Sequence, residues 1–291
     1  SILRRKNASD RWIKVLFVIL ISVLVVGAVS LAAWRQLDRR ADARAWNELA
    51  AYGECDLETF DPAMVSGLPE PAQRYFNYMI EPGARLYTVV ELDMTGEIGL
   101  GTRQAPNYQA MNAHQILAPP HGLVWQLESG LISGSDGALP GRSWTRFWLF
   151  GLLPVTRVSD PDHRRSAFGR VVAEAAFWAP ASRLPHEHVR WGALDVRTAR
   201  GIVPFGPFEQ VVEITIGRNG APTQGQIQSW SNANADKEYR EQPVGGRLSE
   251  FRRFCGYRLP TRVEGGNHVG TPDYFPFFRA EVSDIRFPQG A

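Results

Sequence analysis

Val211-Val212-Glu213-Ile214-Thr215-Ile216, then Gly217-Arg218-Asn219-Gly220-Ala221-Pro222, then Thr223-Gln224-Gly225-Gln226-Ile227, decide the fold of the larger part of this chain. Val212, Ile214 and Ile216 alternate with Glu213 and Thr215, the period-two pattern of a half-buried strand. Asn219-Gly220 sits between this run and the next. Asparagine and glycine tolerate the positive φ angles of a tight hairpin turn, so the two runs are expected to pair antiparallel.

Outward from this hairpin, strand patterns recur over Leu86–Met94, Tyr108–Leu117, Leu123–Glu128, Val189–Thr198, Phe208–Ile216, Thr223–Trp230, Leu248–Phe254, Pro260–Gly265 and Phe277–Phe287. Ser135-Asp136-Gly137 reads as another turn. So does Gly96-Glu97-Ile98-Gly99-Leu100-Gly101, which lacks the order of a dinucleotide-binding loop and is followed by no helix. One helix interrupts the strands: His163–Trp178 carries Phe168, Val171, Val172, Ala175 and Ala176 at helical spacing, and Pro180 stops it. A shorter helix opens at Leu68-Pro69-Glu70-Pro71 and ends before Glu81-Pro82-Gly83. The expected class is α+β, a large curved antiparallel sheet resembling a half-barrel with a few helices packed on it.

Upstream lies Val15–Ala33, VLFVILISVLVVGAVSLAA, an uncharged run of nineteen residues. As a helix it spans roughly 29 Å, which matches a hydrocarbon core of about 30 Å. A secretory signal has a shorter apolar region of about 7–15 residues, so a retained transmembrane helix is expected. Ser1 reads as a terminus left by methionine removal. Trp12 and Trp34 bracket the run where an aromatic belt sits. Gly27, Ser30 and Ala33 fall near one helical face and would permit close helix packing. Arg35–Tyr52 continues as an amphipathic stalk that lifts the domain off the membrane or packs on a partner. The expected organisation is therefore a basic tail (1–14), a membrane helix (15–34), a stalk and connector (35–65) and an extrinsic β-rich domain (66–291).

Five basic residues precede the span and four follow it closely, which favours an N-terminus inside and a periplasmic domain on a bacterial inner membrane. The cytoplasmic side stays open. Residues 1–34 carry five basic side chains against Asp10, so the rest of this +2 chain is at −2. A nearly neutral domain argues against nucleic-acid binding.

The chemistry-bearing residues are sparse. Beyond the anchor the one lysine is Lys237, in polar surroundings unlike a phosphate-binding loop or a Schiff base. Cys55 and Cys255 show no metal or redox spacing, and they read either as a disulfide or as two buried thiols. His186-Glu187-His188 would put two imidazoles on one face of a strand, but no third ligand can be named, and a polar loop after Pro185 is the plainer reading. No serine elbow is present. No catalytic residue, metal ligand or cofactor is assigned. Trp144–Val155, WTRFWLFGLLPV, is the most apolar stretch outside the anchor. It reads as core, as the lining of an apolar cavity, or as a docking surface, and Tyr274-Phe275-Pro276-Phe277-Phe278 invites the same readings. The residues expected to touch membrane or partner are Trp12, Val15, Gly27, Ser30, Ala33, Trp34, Phe147, Trp148 and Phe150.

Four patterns resemble an uncharacterised family of bacterial membrane-anchored domains of unknown function. They are Leu68-Pro69-Glu70-Pro71-Ala72-Gln73-Arg74-Tyr75-Phe76, similar to an LPxPxxRYF opening helix; Gly169–Ala175 with Trp178-Ala179-Pro180; the strands from Trp191 with their Asn219-Gly220 turn; and Gly256-Tyr257-Arg258-Leu259-Pro260-Thr261 with Phe277–Phe287. Together they cover most of residues 66–288. The strand-rich ending also resembles lipoprotein-carrier domains, which implies a half-open barrel with a concave apolar face. The family implies no activity and no site residue. The leading expectation is a non-enzymatic accessory subunit that braces integral-membrane subunits of a larger complex, such as a photosynthetic or respiratory electron-transport assembly. The alternative is a membrane-tethered module that holds a lipid or other apolar ligand in the sheet.

Overall fold

The structure, a computed structural model, describes residues 2–53, 58–186 and 188–288, with side chains for Trp12 and from Lys14 onward. Helix α1 (Ile2–Ala50) runs unbroken through both the apolar run and the stalk. It is the one helix among the described residues that is long and apolar enough to cross a membrane, with an 18-residue window of mean hydropathy 3.0.

A single 13-stranded sheet forms the domain, and every neighbouring pair is antiparallel. Six strands make a first meander: β1 (Val90–Gly99), β2 (Tyr108–Ala118), β3 (Gly122–Ser129), β4 (Ile132–Leu139), β5 (Arg142–Leu149) and β6 (Leu153–Val158). Seven make a second: β7 (Arg190–Asp195), β8 (Thr198–Phe205), β9 (Phe208–Ile216), β10 (Pro222–Ser231), β11 (Arg240–Phe254), β12 (Tyr257–Asn267) and β13 (Phe275–Arg286). The two join where β1 pairs with β13, so β6 and β7 are the edges. Helix α2 (Glu70–Met79) precedes the first meander and α3 (Pro161–Trp178) links the edges. To connect them α3 must cross the concave face, where it packs on strands of both meanders.

Local chemistry sets these elements. The side chain of Asp160 caps α3 by accepting from the His163 amide (2.8 Å), and Pro161 occupies the first turn. Phe168, Val171, Val172 and Ala176 then bury one stripe in the main core. Helix α2 buries Ala72, Tyr75, Phe76 and Met79, and the Tyr75 hydroxyl donates to the Ala176 carbonyl.

The Asn219-Gly220 hairpin forms as expected, with the Gly217 amide donating to the Ala221 carbonyl and Gly220 at φ 86°. Arg74, within the LPxPxxRYF-like segment, donates to the carbonyls of Gly217 and Arg218 and so braces that turn. Two expected turns are strands instead. Ser135-Asp136-Gly137 is the middle of β4, and its small residues make room for Trp144: a Cβ on Gly137 would lie 2.3 Å from that indole. Gly96–Gly99 closes β1, and the turn comes after it. Leu86–Val89 precedes β1 rather than belonging to it, β4, β5 and β6 go beyond the expected strands, and the one strand expected over Val189–Thr198 is β7, a turn and the start of β8.

The stalk does not lift the domain clear. Ala45 and Leu49 pack on Val89, Ile116, Val124, Leu139 and Trp144 of the convex face. Arg142 donates to Glu48 (2.9 Å), and the Trp148 indole donates to Asp38 (3.1 Å). Arg157 forks onto both oxygens of Asp38 (2.8 and 3.1 Å). Burial alone would raise the Asp38 carboxyl, but Arg157 and Arg146 hold it below the usual range. Asp42, one turn on, is pushed up by burial.

Candidate functional site

Strand alternation sends odd and even residues of one strand to opposite faces. On β5 this divides the apolar stretch. Trp144, Arg146 and Trp148 face α1, whereas Ser143, Thr145 and Phe147 face the concave side. There, between α3 and the sheet, lies a cavity of about 470 Å³. That falls within the range of about 300–1,000 Å³ typical of small-molecule sites.

Its walls are mainly apolar: Ile98, Trp125, Phe147, Phe177, Ile227 and Phe278. Its floor is made by glycines. Gly225, Gly246 and Gly265 stand opposite one another across β10, β11 and β12, and Phe278 of β13 continues the row. Leu248, Val263 and Ala280 on one side of this row, and Ile227 on the other, fill the core on that face. The hollow exists because three of the four positions in the row between them carry no side chain. The glycines differ in why they are glycine. A Cβ on Gly225 or Gly265 would make only ordinary contact, 4.0 Å from Phe177 or 3.8 Å from Phe278. A Cβ on Gly246 would lie 1.6 Å from the Glu264 carbonyl oxygen, so close strand approach forbids one.

One wall is polar. Arg170 of α3 donates to Glu174 (2.6 Å) and Asp136 (2.7 Å), and it stacks over Trp125 at 5.1 Å. Gln115 donates to Glu174 (2.5 Å). Thr145 donates to Asp136 (2.6 Å) and also meets His163 Nε2 (2.8 Å), whose Nδ1 reaches Ser143 (2.8 Å). Burial would raise Asp136, but His163, Arg170 and Thr145 hold its carboxyl below the ordinary range. Burial would likewise lower Arg170, and Glu174 and Asp136 outweigh it. Arg170 is the one cation lining the cavity among the described residues, and both carboxylates beside it are already paired to it. The wall can hold a dipole. It offers no unpaired cation to an anion.

Of the expected contact residues, Phe147 lines this cavity. Trp148 is fully buried beneath α1 and stands edge-on to Trp34, with centroids 5.5 Å apart. It has no surface for a lipid or partner, because alternation turns it inward under the stalk. Phe150 is exposed in the β5–β6 turn. Trp12, Val15, Gly27, Ser30, Ala33 and Trp34 lie along the exposed surface of α1, where the Ser30 hydroxyl is satisfied by the Val26 carbonyl (2.8 Å) and Trp34 is also covered by Arg157. No group of three metal-ligating side chains occurs among the described residues. Glu187 lies outside them, and the rings of His186 and His188 are 6.2 Å apart. Cys255 is exposed in the β11–β12 turn; Cys55, and with it the question of a disulfide, lies outside the described residues.

Sequence reasoning missed the glycine floor and the Asp136–Arg170–Glu174 cluster. The signal for the first was present: Gly245-Gly246 and Gly265-Gly266 interrupt strand patterns, which marks close backbone approach. Arg170 and Glu174, one turn apart on an otherwise apolar helix face, were the signal for the second.

Two solved structures are similar in fold. A LolA superfamily protein from Nitrosomonas europaea shares 10% identity at a TM-score of 0.40, over 75% of this chain and 91% of that one. A protein from Vibrio parahaemolyticus, described as an outer membrane lipoprotein-sorting domain, shares 10% identity at a TM-score of 0.36, over 70% and 86%. No curated protein matches the sequence. Residues 58–280 match a family that takes in α2, α3 and the sheet through the first half of β13, and the chain belongs to it: DUF6544, a family of unknown function.

Proposed function

We propose that this chain is a membrane-anchored binding module whose ligand is apolar along most of its length and carries a neutral or zwitterionic polar group. The observation that carries this reading is the cavity itself, an unfilled apolar hollow with a side-chain-free floor and one internally paired polar wall. A packed core does not leave such space without cost, since cavities forfeit contacts. Asp136 and Glu174 already engage Arg170, so the wall has no free cation to offer an anionic head. Val15–Ala33 supplies the anchor and brings the module to a source of such ligands. The expectation of an accessory subunit in an electron-transport assembly has no supporting observation, and the hollow favours the alternative.

Binding of a neutral fluorescent apolar probe, N-phenyl-1-naphthylamine, to the full-length protein in detergent micelles or nanodiscs tests the reading. Displacement by a zwitterionic single-chain phospholipid, with weaker displacement by a fatty acid, is expected. Saturable binding that is absent, or stronger competition by the anion, overturns it.

A further inference from the structure

We infer that the β3–β4 and β5–β6 hairpin tips insert into the lipid bilayer beside α1, so that the half-barrel rests on the membrane by the end nearest its cavity. The inference rests on α1 being the membrane helix of the proposed function.

The argument is one of level. Helix α1 and strand β5 run antiparallel, held at one end by Glu48 on Arg142 and at the other by Trp34 on Trp148. From Glu48 to Trp34 the helix climbs about 21 Å at 1.5 Å per residue. From Arg142 to Trp148 the strand climbs about 20 Å at about 3.3 Å per residue. The two advance together, so the strand predicts what lies level with the helix beyond Trp34. Phe150 is two residues further, about 7 Å, which is level with about four or five residues of helix. That places it beside Ser30, inside the uncharged run Val15–Ala33.

The tip has the surface that this position demands. Phe150 is 66% exposed, and Leu153 and Val155 are 47% and 51% exposed. The neighbouring hairpin adds Leu131, 60% exposed, whose carbonyl accepts from the Phe150 amide at 2.8 Å. Four large exposed apolar side chains thus cluster on these two neighbouring hairpins, at the level of the apolar run of α1. Phe150 holds φ 53° and Gly151 φ 64°, with the Leu152 amide returning to the Leu149 carbonyl at 3.1 Å. This tight turn favours Asn, Asp or Gly at its first central position. A phenylalanine there is disfavoured by the backbone and presented outward, which is a cost without return in water. Beside lipid it gains burial.

The same register places the cavity. Ile98 is paired with Gln109 at the start of β2, Asn112 with Glu128 near the end of β3, and Ile132 with Leu149. Ile98, which lines the cavity, therefore belongs to the strand ends that carry Leu131 and Phe150. Phe147, also in the wall, is three residues from the tip, about 10 Å of strand. An apolar molecule leaving the bilayer here has a short path into the hollow.

The test uses full-length protein in phosphatidylcholine/phosphatidylglycerol vesicles. Single cysteines carrying an environment-sensitive fluorophore are placed by Leu20→Cys, Phe150→Cys, Leu131→Cys and Val196→Cys in a Cys55→Ser, Cys255→Ser background. Val196 is an exposed apolar residue in the β7–β8 turn, at the opposite strand ends. Lipids with a spin label on the acyl chain should quench positions 20, 131 and 150 several-fold more than 196, whereas aqueous iodide should favour 196. Quenching at 20 without quenching at 150 and 131 overturns this inference and leaves the anchor intact. No quenching at 20 removes the anchor reading and this inference with it. Equal quenching at 196 also overturns it, since adsorption would then be general. If the cysteine-free chain does not fold, benzoylphenylalanine at position 150 of the otherwise unaltered chain should photocrosslink to lipid, and absence of a lipid adduct overturns the inference.

Discussion

Phe147 and Trp148 are adjacent in sequence and similar in chemistry, yet they belong to opposite regimes. Trp148 faces the convex side, where α1 covers it and seals Asp38, Arg146 and Arg157 beside it. Phe147 faces the concave side, where α3 spans the sheet without filling it. Both faces are apolar with a few buried charges. The difference is in what opposes them. The convex face meets a continuous helix with matching residues at Leu49, Ala45, Asp42, Asp38 and Trp34. The concave face meets α3 across a row of glycines. An apolar surface becomes a seam when a partner of complementary shape is in the chain, and a site when backbone stands where side chains would be.

The largest effect is expected on the convex side. Trp148→Ala removes a fully buried indole and its bond to Asp38, and it should lower unfolding stability by about 3–5 kcal/mol in denaturant titration. Protease sensitivity of the stalk should rise with it. A loss under about 1 kcal/mol would mean the stalk is not docked.

The polar wall of the cavity comes next. Asp136→Asn should cost about 1.5–3 kcal/mol at neutral pH, as for hydrogen bonds to a charged group. Because the folded carboxyl is held below its ordinary value near 3.8, the stability it adds is fully present above about pH 4–5 and is lost as the pH falls through the lowered value. Stability curves of the two proteins should therefore converge only in acid. Convergence near neutrality would show that Arg170 does not hold the charge.

Filling the hollow separates site from core. Gly225→Leu with Gly265→Leu should weaken probe binding at least about tenfold, roughly 1.4 kcal/mol, because both Cβ atoms point into the hollow and meet only ordinary contacts. Unfolding stability should barely change. Gly246→Ala should do the reverse and destabilise, since its Cβ has nowhere to go. If the leucine pair binds the probe normally, the probe occupies another place.

The smallest effect belongs to the seam between the meanders. Asp93 on β1 is held at about 2 by Arg286 of β13 and by His114 of β2, against the effect of burial. Arg286→Ala should return that carboxyl toward 3.8, readable by carboxyl NMR, with a stability change under about 1 kcal/mol because the arginine is half exposed. An unmoved titration would dissociate the pair.

Motif and site proved to be different things in this chain. The residues that carried the family resemblance turn out to brace the fold. Arg74 ties α2 to the Asn219-Gly220 turn, Tyr257 accepts the Tyr87 amide and donates to the Arg85 carbonyl, and Trp178 donates to the Pro260 carbonyl. Such residues stand out in sequence because each has one geometrical task that few residue types perform. The cavity is defined by side chains absent at single positions of successive strands, spaced too widely to leave a local pattern beyond paired glycines.

The sequence by itself determined the long apolar helix, the antiparallel hairpin at Asn219-Gly220, helix α3 with its stop at Pro180, and most of the strands. These depend on periodicity, turn chemistry and capping, which act within a few residues. Tertiary structure alone decided that β1 closes on β13, that Ser135-Asp136-Gly137 is strand under Trp144, that the stalk lies on the sheet, and that Phe147 and Trp148 part company. Each of these is settled by which face of a strand meets which distant element. A one-residue shift in pairing would exchange the two faces, so only the assembled sheet could say which apolar side was covered and which was left hollow.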